Sequence, residues 1–206
     1  MSRYRGPRVK LMRAVGVDLP GLSRKTIERK PNPPGMREGQ FKKKKSDFGL
    51  QLLEKQKIRF NYGITERHLR TVVQRAFRSR EHSGNKLMEM LESRLDNVVF
   101  RAGFASSIPA ARQLVGHCHV LVDGKKVNIP SYRVRPGQQI QVSLKGAKFA
   151  TVIGSLEQPA LARPAWLSFD AEQSTAKMIT MPDRDSFPFP IEISLVIEYY
   201  ARRVSK

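Results

Sequence analysis

The sequence predicts an α+β protein in two lobes, one mostly helical and one a small platform of helices packed on a short antiparallel sheet. Two observations carry that prediction, and a third bears on the partner. From Ser46 onward apolar residues recur at helical spacing, most cleanly at Leu69, Val72, Val73, Ala76 and Phe77. Asp123-Gly124, set between the alternating pairs Val120/Val122 and Val127/Ile129, is the strongest hairpin signal in the chain. The charge is also one-sided: Lys and Arg number 38 against 18 Asp and Glu, a formal net charge of +20.

Residues 1–45 hold 14 basic and 3 acidic residues and end in Lys42-Lys43-Lys44-Lys45. Gly6-Pro7, Leu19-Pro20-Gly21 and Pro31-Asn32-Pro33-Pro34-Gly35 punctuate them, and their scattered Leu and Val show no sustained period. The expectation is an extended, loosely ordered basic segment that sets on binding RNA. Residues 46–92 form the helical domain. Ser46-Asp47 caps a helix through about Phe60, Asn61-Tyr62-Gly63 breaks it, and Thr65 caps the next. Arg67, Arg70 and Arg78 project away from the apolar stripe of that second helix, as RNA contacts or as ordinary solvated charge. Met88 and Met90, beside Leu87 and Leu91, read as core filler.

Residues 93–145 form the platform. The run from Arg94 to Arg101 gives one short helix. Ser107 stands where an N-cap belongs for a second, with Pro109 in its first turn and Gly116 at its end. Ala111, Leu114 and Val115 give that helix an apolar side, and Arg112 and Gln113 lie off it, within reach of phosphate or sugar oxygens. In the hairpin Val120, Val122, Val127 and Ile129 point inward, while Lys125 and Lys126 sit at the turn. Arg135-Pro136-Gly137 turns into a strand from Gln139 to Leu144. Residues 146–206 carry equal positive and negative charge and are expected to pack back on the helical domain. Short strands are expected near Trp166–Phe169 and Lys177–Thr180 and a helix from Pro190 to Arg203, with helix or loop both open for 146–165.

So basic a chain favours a polyanion, because counterion release from a phosphate backbone supplies affinity. The platform offers phosphate donors and no evident chemistry, so the chain reads as a binder and not an enzyme. No apolar run approaches the roughly 18 residues of a membrane span, and the start from Met1 to Arg13 lacks the apolar core of a secretory signal. The lone Cys118 fits a reducing compartment. His117-Cys118-His119 cannot close a tetrahedral site alone, so His117 is read as facing RNA and Cys118 the core, with no metal and no cofactor.

The stretch from Ser93 to Leu144 resembles the alpha-L RNA-binding module. The flanks narrow the resemblance to the small-subunit ribosomal protein four family of bacteria and organelles. They are Arg3-Tyr4-Arg5-Gly6-Pro7-Arg8, Ser46-Asp47-Phe48-Gly49, the run from Glu54 to Gly63, Glu66 to Arg70, and the tail from Glu192 to Arg202. The resemblance implies a structural constituent of the small subunit and a primary binder of 16S-type rRNA that nucleates assembly of the 5′ domain. It implies that Lys42 to Lys45 lie near where mRNA enters, and that the C-terminal part meets small-subunit ribosomal protein five, an interface affecting accuracy. It implies ribosomes of the cytoplasm, or of an organelle, as the location, with no membrane partner and no small-molecule substrate. The RNA-binding set so implied is Arg3, Tyr4, Arg5, Arg8, Lys42, Lys43, Lys44, Lys45, Lys57, Arg59, Arg67, Arg70, Arg94, Ser107, Arg112, Gln113, His117, Lys125, Lys126, Asn128, Tyr132 and Arg133.

Two departures stand out. Many members of that family bind zinc through N-terminal cysteines, yet no Cys or His precedes His68, and Pro33 to Gly39 departs from the usual Pro-Pro-Gly-x-His-Gly. The rival readings are a pseudouridine synthase and a standalone RNA chaperone using the same module. Arg94-Leu95-Asp96 matches the Arg-Leu-Asp of those synthases, but Asn97-Val98-Val99 follows where Thr-x-Gly is needed, and residues 146–206 are far too few for a catalytic domain that must receive a flipped base. The plainer expectation is that Asp96 pairs with Arg94 or caps nearby amides.

Overall fold

A computed structural model describes residues 4, 6–36, 44–171, 173–183 and 186–204. Among them are nine α-helices and five short strands in the order α1 (Arg8–Val15), α2 (Asp47–Asn61), α3 (Glu66–Phe77), α4 (Ser83–Glu92), α5 (Leu95–Arg101), α6 (Ile108–Gly116), β1 (Val120–Val122), β2 (Lys125–Lys126), β3 (Gln139–Val142), α7 (Leu144–Ala147), α8 (Ala150–Glu157), β4 (Leu167–Asp170), β5 (Thr175–Met178) and α9 (Ile193–Val204). The class is α+β, as the periodicities predict. The chain divides into two compact units, Met1–Leu87 with Phe187–Lys206, and Met88–Ser186.

In the first unit α2 and α3 begin as their caps dictate: Ser46 Oγ accepts from the Gly49 amide at 3.3 Å and Thr65 Oγ1 from the His68 amide at 3.3 Å. Leu69, Val72, Val73 and Ala76 form the buried face of α3. Helix α9 packs against α2 and α3, burying Val196, Tyr199 and Tyr200. Polar groups join these segments as well. Glu54 Oε1 takes the Lys57 ammonium at 2.6 Å, and its Oε2 accepts the Glu192 amide at 3.1 Å. The Glu66 carboxylate takes the Lys55 ammonium at 3.0 Å and the Tyr200 hydroxyl at 2.7 Å.

The N-terminal segment departs from expectation. Residues 8–15 form a helix, which ends at Gly16 in the left-handed region, φ 76°, as a C-terminal glycine allows. Met12, Val15, Leu19 and Leu22 are buried, and the Gly21 amide donates to Asn61 Oδ1 at 2.9 Å. The segment is therefore packed rather than extended over these residues. Its apolar positions do keep helical steps, but Pro20-Gly21 interrupts them and so hid the pattern.

In the second unit the strands make one antiparallel sheet, ordered β2-β1-β3-β5-β4. Asp123 (φ 48°) and Gly124 (φ 75°) take the two positive-φ positions of a tight hairpin, with Val122 opposite Lys125. Val120, Val122, Ile140, Ala176 and Met178 form its buried face. Residues 146–186, expected on the helical domain, belong here instead. The reason is pairing: Ile140 of β3 faces Ala176 of β5, so β4 and β5 extend the platform's own sheet. The undecided stretch 146–165 holds α7's end and α8, then loop. Ile129 is 56% exposed, because the second hairpin strand stops at Lys126 and leaves no ladder to turn it inward.

Candidate nucleic-acid interface

All seven residues of α5 are buried, and α6 packs beside it. Arg94, at the N-cap of α5, donates from Nε to Asp96 Oδ1 at 3.0 Å and from Nη2 to Oδ2 at 2.8 Å. Arg112, one turn into α6, adds Nε and Nη2 on the same Oδ2 at 3.1 and 2.7 Å, and Oδ1 also accepts the Asn97 amide at 3.0 Å. One carboxylate, its side chain only 1% exposed, thus holds two guanidiniums. A buried charge survives only with such pairing. The expectation that Asp96 pairs locally is met, and with two arginines instead of one.

Several side chains singled out from the sequence stand elsewhere than on an open surface, and one stands outside the core. Arg94 is buried and engaged by Asp96, so it lies off the open surface. Arg112 is 21% exposed at its side chain but spends its guanidinium on Asp96, so it is not the loose surface cation its place off the apolar side suggested. Ser107 occupies the N-cap but makes no side-chain cap, and it is buried. Lys57 is buried on Glu54 and also donates to the Pro190 carbonyl at 3.3 Å. Cys118, read as a core residue, is exposed at φ 60° in the turn after α6, because that turn needs a left-handed residue and swings the side chain outward.

The remaining predicted residues fall in two sets, each described within its own unit. In the second unit Gln113, His117, Lys125, Lys126, Asn128 and Arg133 are exposed, and Tyr132 is half-buried. The loop bearing Tyr132 and Arg133 is laid against the start of α5 by backbone bonds: the Leu95 amide donates to the Tyr132 carbonyl at 2.8 Å and the Val134 amide to the Ser93 carbonyl at 2.9 Å. In the first unit Tyr4, Arg8, Lys44, Lys45, Arg67 and Arg70 are exposed, and Arg59 is half-buried, its Nη1 on Gln56 at 3.2 Å. Arg3, Arg5, Lys42 and Lys43 lie outside the described residues.

Arg135 is an exposed cation the site reading left out, although Arg135-Pro136-Gly137 was seen as a turn. With Pro136 second and Gly137 at φ 89° third, the turn type throws Arg135 to its rim. Lys145 and Lys148, exposed around α7, were also passed over. Asp123 bridges hairpin to sheet: its Oδ1 accepts the Gln139 amide at 2.9 Å and its Oδ2 the Gln138 side-chain amide at 2.8 Å. Those two bonds, the backbone one foremost, hold its carboxyl below the ordinary range.

Short helices on a small sheet, with paired charge inside and cations on a hairpin and a tethered loop, define a nucleic-acid-binding platform. Comparison with known families refines this class. Residues 93–140 match the family model described as the S4 domain, and residues 3–92 match the ribosomal protein S4/S9 N-terminal domain. The small ribosomal subunit protein uS4 of Methylobacillus flagellatus is 51% identical over 99% of this chain and 100% of its own length. uS4B of Nitrosomonas europaea is likewise 51% identical over 99% and 100%, and uS4 of Synechococcus elongatus 48% over the same shares. The chain belongs to the small ribosomal subunit protein uS4 family. These relatives are ribosomal proteins and not enzymes.

Proposed function

We propose that the chain is a structural component of the small ribosomal subunit that binds 16S-type rRNA directly and nucleates folding of its 5′ domain. The observation that carries the proposal is the division of charge in the second unit. Asp96, a buried carboxylate of the platform, is engaged by Arg94 and Arg112, while Lys125, Lys126, Arg133 and Arg135 are exposed. A carboxylate tied to two guanidiniums, its side chain 1% exposed, is a poor nucleophile, which favours binding over modification chemistry. Phosphate contacts from such cations give affinity, and the rigid spacing of the loops selects a folded RNA shape.

Finer placements belong to the same proposal. Lys42 to Lys45 precede α2 as a block of four cations suited to single-stranded mRNA near its entrance. The absence of net charge over residues 146–206 suits a protein-facing surface, and small-subunit ribosomal protein five is the proposed partner. The proposed setting is the cytoplasmic ribosome or that of an organelle, and no helix among the described residues is long and apolar enough to cross a membrane.

The test is competition of the full chain between the isolated 5′ domain of small-subunit rRNA and an equal mass of unrelated structured RNA. We expect a preference of about 100-fold that persists at high salt, as shape recognition requires. Equal binding to both, vanishing steeply with salt, would make the chain a general RNA chaperone.

A further inference from the structure

Gln138 sits where two cationic loops of the second unit meet, and every polar atom of its side chain is in use. Its Nε2 donates to Asp123 Oδ2 at 2.8 Å, on the hairpin that carries Lys125 and Lys126. The same Nε2 lies 3.2 Å from the Tyr132 hydroxyl. Its Oε1 accepts the Arg135 amide at 3.0 Å and stands 3.4 Å from that hydroxyl. Asp123 completes the arrangement by exchanging bonds with Gln139: its amide donates to the Gln139 carbonyl, and its carboxylate accepts the Gln139 amide, both at 2.9 Å. Gln138, Tyr132, Arg133 and Arg135 also line one open groove with Glu89 and Ser93.

We propose that Gln138 is a positioning residue for RNA recognition, fixing the spacing between the Lys125–Lys126 hairpin and the Tyr132–Arg135 loop so that both meet an RNA backbone as one rigid unit. The proposal rests on the rRNA reading above and adds to it a residue that touches no RNA. The need is physical. Strand β2 has two residues and lies at the sheet edge, and a hairpin so short has little stability of its own. Loops left to sample many separations would have to be ordered on binding, at a cost in affinity for the one RNA whose phosphates match. A side-chain amide suits the task, since it donates to one loop and accepts from the other at once. Because the clamp adds no charge, removing it leaves the number of phosphates neutralised unchanged. A structural defect or a lost cation would behave otherwise.

Three proteins separate these outcomes: the full chain, Gln138→Ala and Asp123→Asn, each titrated with the rRNA 5′ domain and with a plain RNA duplex over a salt series. Gln138→Ala should bind the 5′ domain about tenfold more weakly, with the duplex affinity within about twofold and the salt slope as in the parent. Asp123→Asn is the sharper arm. Deleting a negative charge beside Lys125 raises duplex affinity by simple electrostatics, yet the clamp requires its preference for the 5′ domain to fall. Equal weakening on both RNAs, or unchanged preference in both variants, would overturn the proposal. If the parent chain itself shows no preference, the rRNA reading fails and the clamp is judged on amide exchange. The Arg135 and Gln139 amides must then be protected in the parent and faster in Gln138→Ala, and equal rates would overturn it.

Discussion

Glu54 of the first unit holds Lys57 and the amide of Glu192, 138 residues further on, whereas Asp96 of the second holds Arg94 and Arg112, the farther only 16 residues away. Gln51 with Glu198 and Glu66 with Tyr200 repeat the long-range pattern in the first unit. Glu92 with Asn97 and Arg101 repeats the local one in the second. The first unit is assembled from two distant stretches of chain, and its buried polar groups fasten the last helix to the second and third. The second unit is contiguous, and its buried charges instead stiffen a small platform whose outer cations must keep their places. Burial of charge thus closes one unit and shapes the surface of the other.

Breaking the local cluster should have the largest effect. Asp96→Ala strands two guanidiniums, one of them buried, and should cost about 3–5 kcal/mol in urea unfolding. A loss below about 1 kcal/mol would mean that the arginines are solvated and that the cluster has little structural role. Met12→Ala comes next, because it tests whether the N-terminal helix contributes to the first unit. Fully buried, Met12 should cost about 3 kcal/mol on truncation, and a neutral result would return residues 8–22 to the loosely ordered segment expected from the sequence.

Glu54→Gln should cost about 2 kcal/mol, since it weakens a charge-assisted bond to Lys57 and another to the Glu192 amide. Proteolysis should then release α9 before any cleavage within the second unit. The smallest effect is a pH dependence. Burial raises the Glu66 pKa, but the Tyr200 hydroxyl and the Lys55 ammonium together outweigh it and bring the net value below the ordinary 4.5. A carboxyl lowered by folding adds stability above its unfolded pKa and loses it as pH falls through the folded one. The half-exposed Glu66 should therefore contribute under about 1 kcal/mol, lost only below about pH 4.5. Glu66→Gln should flatten that part of the acid-unfolding curve, and an unaltered curve would remove Glu66 from the account.

Much of this was legible in residue spacing. Period and caps located α2 and α3, Asp-Gly located the hairpin, and Arg94-Leu95-Asp96 suggested its own ion pair. What was not legible depended on partners distant in sequence or on backbone geometry. Glu54 lies one helical turn before Lys57, but nothing local says that the Pro190 carbonyl, 133 residues away, also takes its ammonium. The pairing of β5 with β3 joins residues 34 or more positions apart, so the C-terminal strands were assigned to the wrong lobe. Cys118 looked apolar by composition, yet a left-handed turn put it outside. Arg112 carried the cation signature of an RNA contact, and only the depth of Asp96 shows what holds it.

The measurement that tests the central claim most directly is the salt slope of 5′-domain binding for the full chain and for Lys125→Gln, Lys126→Gln and Arg135→Gln combined. If these exposed cations of the second unit meet RNA phosphates while Arg94 and Arg112 serve Asp96, the slope should fall by about 2 to 3 with no change in melting temperature. An unchanged slope would contradict the account and place the RNA-binding charge elsewhere in the chain.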